Sequence, residues 1–129
     1  MIFGLGSDIT SVKRIVSAFE KSGDRFARRI LSKEEYPFYV TKSSERAKIT
    51  FLAKRFAAKE AISKALGTGM RQGIGFLQFT IVNNDLGKPE VELTGKAKEW
   101  AEKNNISRIH LTLSDEQDYA IAFAVAEAT

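Results

Sequence analysis

Asp8, Glu60 and Lys64 are the residues of this chain whose types and spacing best suit chemistry. Glu60 continues the line of Ile49, Leu52, Ala53, Phe56 and Ala57, which recur at the three-and-four spacing of one helix face. A carboxylate turned toward apolar surroundings is costly unless a metal ion, an arginine or a lysine receives it. Lys64 follows Glu60 by four residues, so both side chains reach over one helical surface. Asp8 stands after Gly6 and Ser7 at the polar exit of an apolar strand, where a sheet delivers side chains into a cleft. If Asp8 and Glu60 converge, they form a two-carboxylate oxygen site that suits magnesium, which completes its shell with water and phosphate oxygens. Arg55, Lys59, Lys64 and Lys88 are then candidates to hold a phosphate-rich molecule, arginine being favoured for bidentate contact.

Each residue also has a plainer reading. Glu60 and Lys64 match an ordinary surface ion pair, worth about 0.2–0.5 kcal/mol. Asp8 suits the cap of a helix opening near Ser11. His110 reads as an exposed strand residue, and the glycines between 67 and 75 match no standard phosphate-loop spacing and read as turns. Arg14, Arg25, Arg28 and Arg29 read as a solvated basic face.

The elements that must position these residues follow from periodicity and punctuation. A strand is expected over 2–9, a helix from Ser11 to about Ser22 stopped by Gly23, and a short helix from Asp24 through Ile30. Ser32 and Glu35 form a capping-box pattern before Pro37. The longest helix is expected over 44–66, with Gly67 ending it. Strands follow at Leu77–Val82 and Pro89–Leu93, then a short amphipathic helix over 94–104. Arg108–Ser114 and Tyr119–Glu127 flank a turn and suggest an antiparallel hairpin, with Ile109, Leu111 and Leu113 on one face and His110, Thr112 and Ser114 on the other. Helices early and strands late predict an α+β fold with a mostly antiparallel sheet, one long helix and several short ones, in one domain over 1–129.

Composition narrows the function classes. With 129 residues and 43% apolar content the chain is long enough to bury a core without disulfides. It has no cysteine and one histidine, which excludes thiol nucleophiles, thiolate zinc sites and multi-histidine metal sites. No signal-peptide pattern and no stretch of transmembrane length is present, so a cytoplasmic protein without a membrane partner is expected. The net charge of +4 hides an asymmetry: residues 11–64 hold fourteen Lys or Arg against six Asp or Glu. That half is built to meet something acidic.

Taken together, the segments Gly6-Ser-Asp8-Ile-Thr-Ser-Val-Lys-Arg14, Arg25-Phe-Ala-Arg-Arg-Ile-Leu31, Arg55 to Gly69, Gly87-Lys-Pro89 and His110 to Ala122 resemble those of the holo-acyl-carrier-protein synthases. These are the small bacterial class of 4′-phosphopantetheinyl transferases. The resemblance spans nearly the whole chain in the family's order. It implies transfer of the phosphopantetheine arm of coenzyme A to a serine of apo acyl carrier protein, with magnesium. It assigns Asp8 and Glu60 as metal ligands, Lys64 to the diphosphate, and Arg55 and His110 to the nucleotide's phosphates. Arg14, Arg25 and Arg29 fall where the family presents basic residues to its carrier, and a homotrimer is implied. Two other classes compete with it: a basic nucleic-acid-binding domain and a noncatalytic docking module for acidic proteins. The strands lack the basic and aromatic interleaving of an RNA-binding sheet, and no zinc or helix-turn-helix signature is present, so no nucleic-acid partner is expected.

Overall fold

Strand β1 (Ile2–Ser11) runs directly into helix α1 (Val12–Ser22), with Ser11 as the extended residue between them. The chain is described by a computed structural model over residues 1–129. Gly23 separates α1 from α2 (Asp24–Ile30) at φ 51°, a left-handed conformation that glycine adopts at least cost. The short helix α3 (Tyr36–Val40) precedes the long helix α4 (Glu45–Ala65), where the Ser44 hydroxyl accepts from the Ala47 N–H at 3.1 Å and caps the first turn. Gly67 lies just beyond, at φ 86°, in the position expected of the glycine that ends the helix.

After α4, Phe76–Gln78 form a single 3₁₀ turn, and strands β2 (Phe79–Asn83) and β3 (Pro89–Leu93) make a hairpin. Helix α5 (Gly95–Lys103) is tied back to α4 by Trp100, whose indole N–H donates to the Leu66 carbonyl at 2.9 Å. Strands β4 (Ile106–Asp115) and β5 (Tyr119–Ala128) complete the chain. The fold is α+β, and all strand pairs are antiparallel.

The strands form two sheets rather than one: β1-β5-β4 and β2-β3. The expected strand at Leu77–Val82 is shortened at its start because the 3₁₀ turn occupies Leu77 and Gln78.

Helix α4 packs across the inner face of the larger sheet. That face is a row of alanines on β5, Ala120, Ala122, Ala124 and Ala126, all buried in one core cluster with Ala57, Ala58, Ala61 and Ala65 of the helix. Small residues on both elements let helix and sheet approach closely. From Phe51 onward α4 is buried on nearly every side, not along one stripe, and Glu60 is among its few residues that retain exposure.

Candidate active site

The geometry begins with Gly4, Gly6 and Asp8, which alternate onto the same face of β1. A methyl group at Gly4 would overlap the Ala65 carbonyl, and one at Gly6 would overlap the Ala61 carbonyl and stand 2.7 Å from the Ala65 nitrogen. Two strand residues advance roughly 6.7 Å and four helical residues about 6 Å, so strand and helix keep step. One further step along β1 brings Asp8 toward the turn of α4 that carries Glu60. The charge of Asp8 is felt at Glu60.

Burial pushes the Glu60 carboxyl above its ordinary range, and the like charge of Asp8 pushes it the same way, while Lys64 and Arg14 pull it down. Asp8 receives a hydrogen bond from the Thr10 hydroxyl at 2.6 Å. Lys64 Nζ donates to the Ser7 carbonyl at 2.9 Å and stands 3.6 Å from Asp8 Oδ1. Asp8 does not cap α1: it lies within the strand, and the N-cap position belongs to Ser11. Two adjoining carboxylates with partial cationic compensation fit a hard divalent cation bound through oxygen. No cluster of three or more carboxylate, histidine or cysteine side chains forms, so such a cation would draw the rest of its shell from water and substrate.

Arg55 and Lys59 do not gather around Glu60, as their spacing along the helix suggested. They turn toward Glu35, whose side chain is fully buried. Lys59 Nζ donates to Glu35 Oε1 at 2.6 Å and to the carbonyls of Ile30 and Phe76 at 2.7 and 3.1 Å. Glu35 also accepts from the Ser32 N–H, the half of the capping box visible in sequence, and from the Ile81 N–H. Lys59 therefore ties α2, α4 and the 3₁₀ turn together and is not free for a substrate. Burial holds its pKa below the ordinary lysine value, against the pull of Glu35.

Arg55 is buried with its guanidinium 4.6 Å from the Phe51 ring centre and its Nε 3.8 Å from Glu35, beyond hydrogen-bond reach. That Nε is the one buried side-chain polar atom without a partner. Arg55 lines a cleft of ≈ 460 Å³ with Lys42, Arg46, Lys54 and Asn83, among whose lining residues there is no carboxylate.

His110 stands apart from Asp8. It pairs with Val125 across β4 and β5, whereas Asp8 pairs with Ala122 across β1 and β5. Paired residues share a face and strand residues three apart do not, so His110 lies on the outer face of the sheet, away from α4. There its Nε2 is 2.9 Å from Glu127 Oε1. It also lines a cleft of ≈ 510 Å³ with Lys88, Pro89 and Arg108.

Of the arginines expected to meet a carrier, Arg14 lies 5.0 Å from the Phe56 ring centre, close enough to Glu60 for its charge to register there. Arg25 and Arg29 are exposed on α2 and form no ion pair. Arg28 is engaged by Asp24 at 2.6 Å, and Asp24 also accepts from the Tyr36 hydroxyl. Thr10 and Glu35 carry no chemical motif of their own in the sequence. The i, i+2 spacing of Thr10 from Asp8 is the signal that finds the first.

This fold defines a class. A family model described as the 4′-phosphopantetheinyl transferase superfamily matches residues 4–124, and the chain belongs to that family. Among its relatives, the holo-[acyl-carrier-protein] synthase of Aliivibrio fischeri is 51% identical over 127 residues, 98% of each chain. The crystal structure of the holo-[acyl-carrier-protein] synthase of Neisseria meningitidis superposes with a TM-score of 0.91 at 45% identity, covering 98% of this chain and 99% of that one. The Bacillus anthracis synthase, solved in complex with CoA (3′,5′-ADP), superposes with a TM-score of 0.82 at 34% identity, covering 100% and 99%.

Proposed function

We propose that this chain is a holo-acyl-carrier-protein synthase: it moves the 4′-phosphopantetheine arm of coenzyme A onto a serine hydroxyl of apo acyl carrier protein. The reading is supported by the family match over residues 4–124, with Lys64 standing 3.6 Å from Asp8 and the charge of Asp8 registering at Glu60. The serine oxygen forms a bond to the phosphorus that bears pantetheine, and the bond from that phosphorus to the nucleotide's phosphate breaks. Adenosine 3′,5′-bisphosphate leaves, and the serine proton passes to solvent or an adjoining base.

Asp8 and Glu60 would hold magnesium, which supplies charge neutralisation at a diphosphate. Lys64, anchored by the Ser7 carbonyl, directs its ammonium toward the same place and binds a diphosphate oxygen. Arg55 lines the basic cleft with Lys42 and Arg46, a setting suited to a phosphate of the nucleotide. Arg14, Arg25 and Arg29 receive the acidic carrier, with Arg14 nearest the carboxylates.

A homotrimer belongs to the same reading. The outer face of the β1-β5-β4 sheet exposes Leu5, Ile9, Ile121 and Phe123, at 57, 68, 45 and 43%. An apolar area of this kind favours a protein partner. His110 shares that outer face, so a site using both His110 and Glu60 draws them from different copies.

The test is intact-mass measurement of apo acyl carrier protein incubated with this protein, coenzyme A and magnesium, with and without chelator. A gain of one phosphopantetheine that chelator abolishes is expected. No gain from folded protein and a competent carrier refutes the activity.

A further inference from the structure

Thr10 lies two residues beyond Asp8 on β1, so both side chains leave the strand on the side of α4. Thr10 is 1% exposed, and its hydroxyl donates to Asp8 Oδ2 at 2.6 Å. Burial denies that hydroxyl a water molecule as a substitute acceptor. Asp8 keeps 17% side-chain exposure, so its carboxylate has alternatives that Thr10 lacks. The bond is therefore enforced from the buried side, because an Asp8 that rotates away strands a hydroxyl in the core. It also divides the work of the two oxygens: Oδ2 is held by Thr10, and Oδ1 faces Lys64 at 3.6 Å.

We propose that Thr10 is a positioning residue that fixes the Asp8 carboxylate in the orientation needed to share a divalent cation with Glu60. This rests on the two-carboxylate site proposed above. The need for such a restraint is electrostatic. The charges of Asp8 and Glu60 repel, so an unrestrained carboxylate turns away from Glu60. A hydroxyl on the far oxygen opposes that rotation and keeps the pair arranged before a cation arrives. Partners of this kind orient metal ligands.

The probe is Mn²⁺, counted by loss of the free-ion electron paramagnetic resonance signal, with and without coenzyme A and with no carrier present. Wild type, Thr10→Val, Thr10→Ser and Asp8→Asn are compared, with urea unfolding midpoints recorded for each. Thr10→Val is expected to weaken Mn²⁺ binding roughly 10–100-fold, while Thr10→Ser, which keeps the hydroxyl, restores it to within about twofold of wild type. A role confined to packing would leave Mn²⁺ affinity unmoved. Unchanged affinity in Thr10→Val, alongside a large loss in Asp8→Asn, overturns the proposal. Unchanged affinity in Asp8→Asn overturns the two-carboxylate reading itself. If Thr10→Val does not fold, Thr10→Ala is read by the same criterion.

Discussion

Replacing Gly6 with alanine puts a methyl group where the backbone of α4 already stands. The new Cβ would overlap the Ala61 carbonyl oxygen and lie 2.7 Å from the Ala65 nitrogen, where ordinary contact begins near 3.4 Å. Both obstacles are main chain, so no rotamer change relieves them. Strand β1 must withdraw, which costs about 3 kcal/mol as overpacking, offset by somewhat under 1 kcal/mol from the lower entropy of the unfolded chain. A net loss of about 2 kcal/mol corresponds to a fall in Tm of roughly 10 °C for a chain of this size. Asp8 travels with the strand, and a displacement of roughly 1 Å at a reacting centre costs about 100-fold in rate. The assay pairs thermal unfolding with the initial rate of phosphopantetheine transfer. Gly75→Ala is the control, since a Cβ there meets nothing within 4 Å and φ is −149°, and it is expected to match wild type in both. A Gly6→Ala protein with wild-type Tm and rate would refute the claim that this close approach sets Asp8 against Glu60.

Glu35→Ala leaves Lys59 and Arg55 buried without their counter-charge and should cost about 3–5 kcal/mol, measured by urea unfolding; a loss below about 1 kcal/mol contradicts that role. Glu60 is held above its ordinary pKa in the folded chain, so its neutral form is the one that folding favours. Its contribution is complete below the ordinary carboxyl value of 4.5 and lost as pH rises through the folded value. Glu60→Gln should therefore stabilise the metal-free protein at pH 7 and leave it nearly unchanged at pH 4, with urea midpoints as the readout; equal effects at both pH values would contradict the sign. Arg14→Glu should raise the KM for carrier protein at least tenfold, about 1.4 kcal/mol, with the KM for coenzyme A little changed. Equal changes in both would place Arg14 on the coenzyme instead.

Residues on one element were the most legible. Alternation along β1 and the i, i+4 spacing on α4 brought Asp8, Glu60 and Lys64 into view, because each relation is fixed by the geometry of a single strand or helix. Glu35 shows the limit. Its bond to Ser32 is a local capping pattern, but its partners Lys59 and Ile81 come from 24 and 46 residues further along. Nothing local says that Lys59 points away from its neighbour Glu60 and into the core. The same holds for His110, whose alternation was legible while its position on the face opposite Asp8 depends on how β1 and β4 both register with β5. The 3₁₀ turn at Phe76–Gln78 is likewise not announced by the apolar run at Phe76 and Leu77.

The alanine row on β5 bears on how the chain finds its own alignment. Most strands that cover a core reject a one-residue slip because it would expose apolar side chains and bury polar ones. Along β5 that discrimination is weak: Tyr119, Ile121, Phe123 and Val125 alternate with Ala120, Ala122, Ala124 and Ala126, and both sets are apolar. What differs is volume. A slipped β5 would drive tyrosine, isoleucine and phenylalanine against a helix wall that admits only methyl groups, so misalignment is rejected as a steric misfit and not as a hydration penalty.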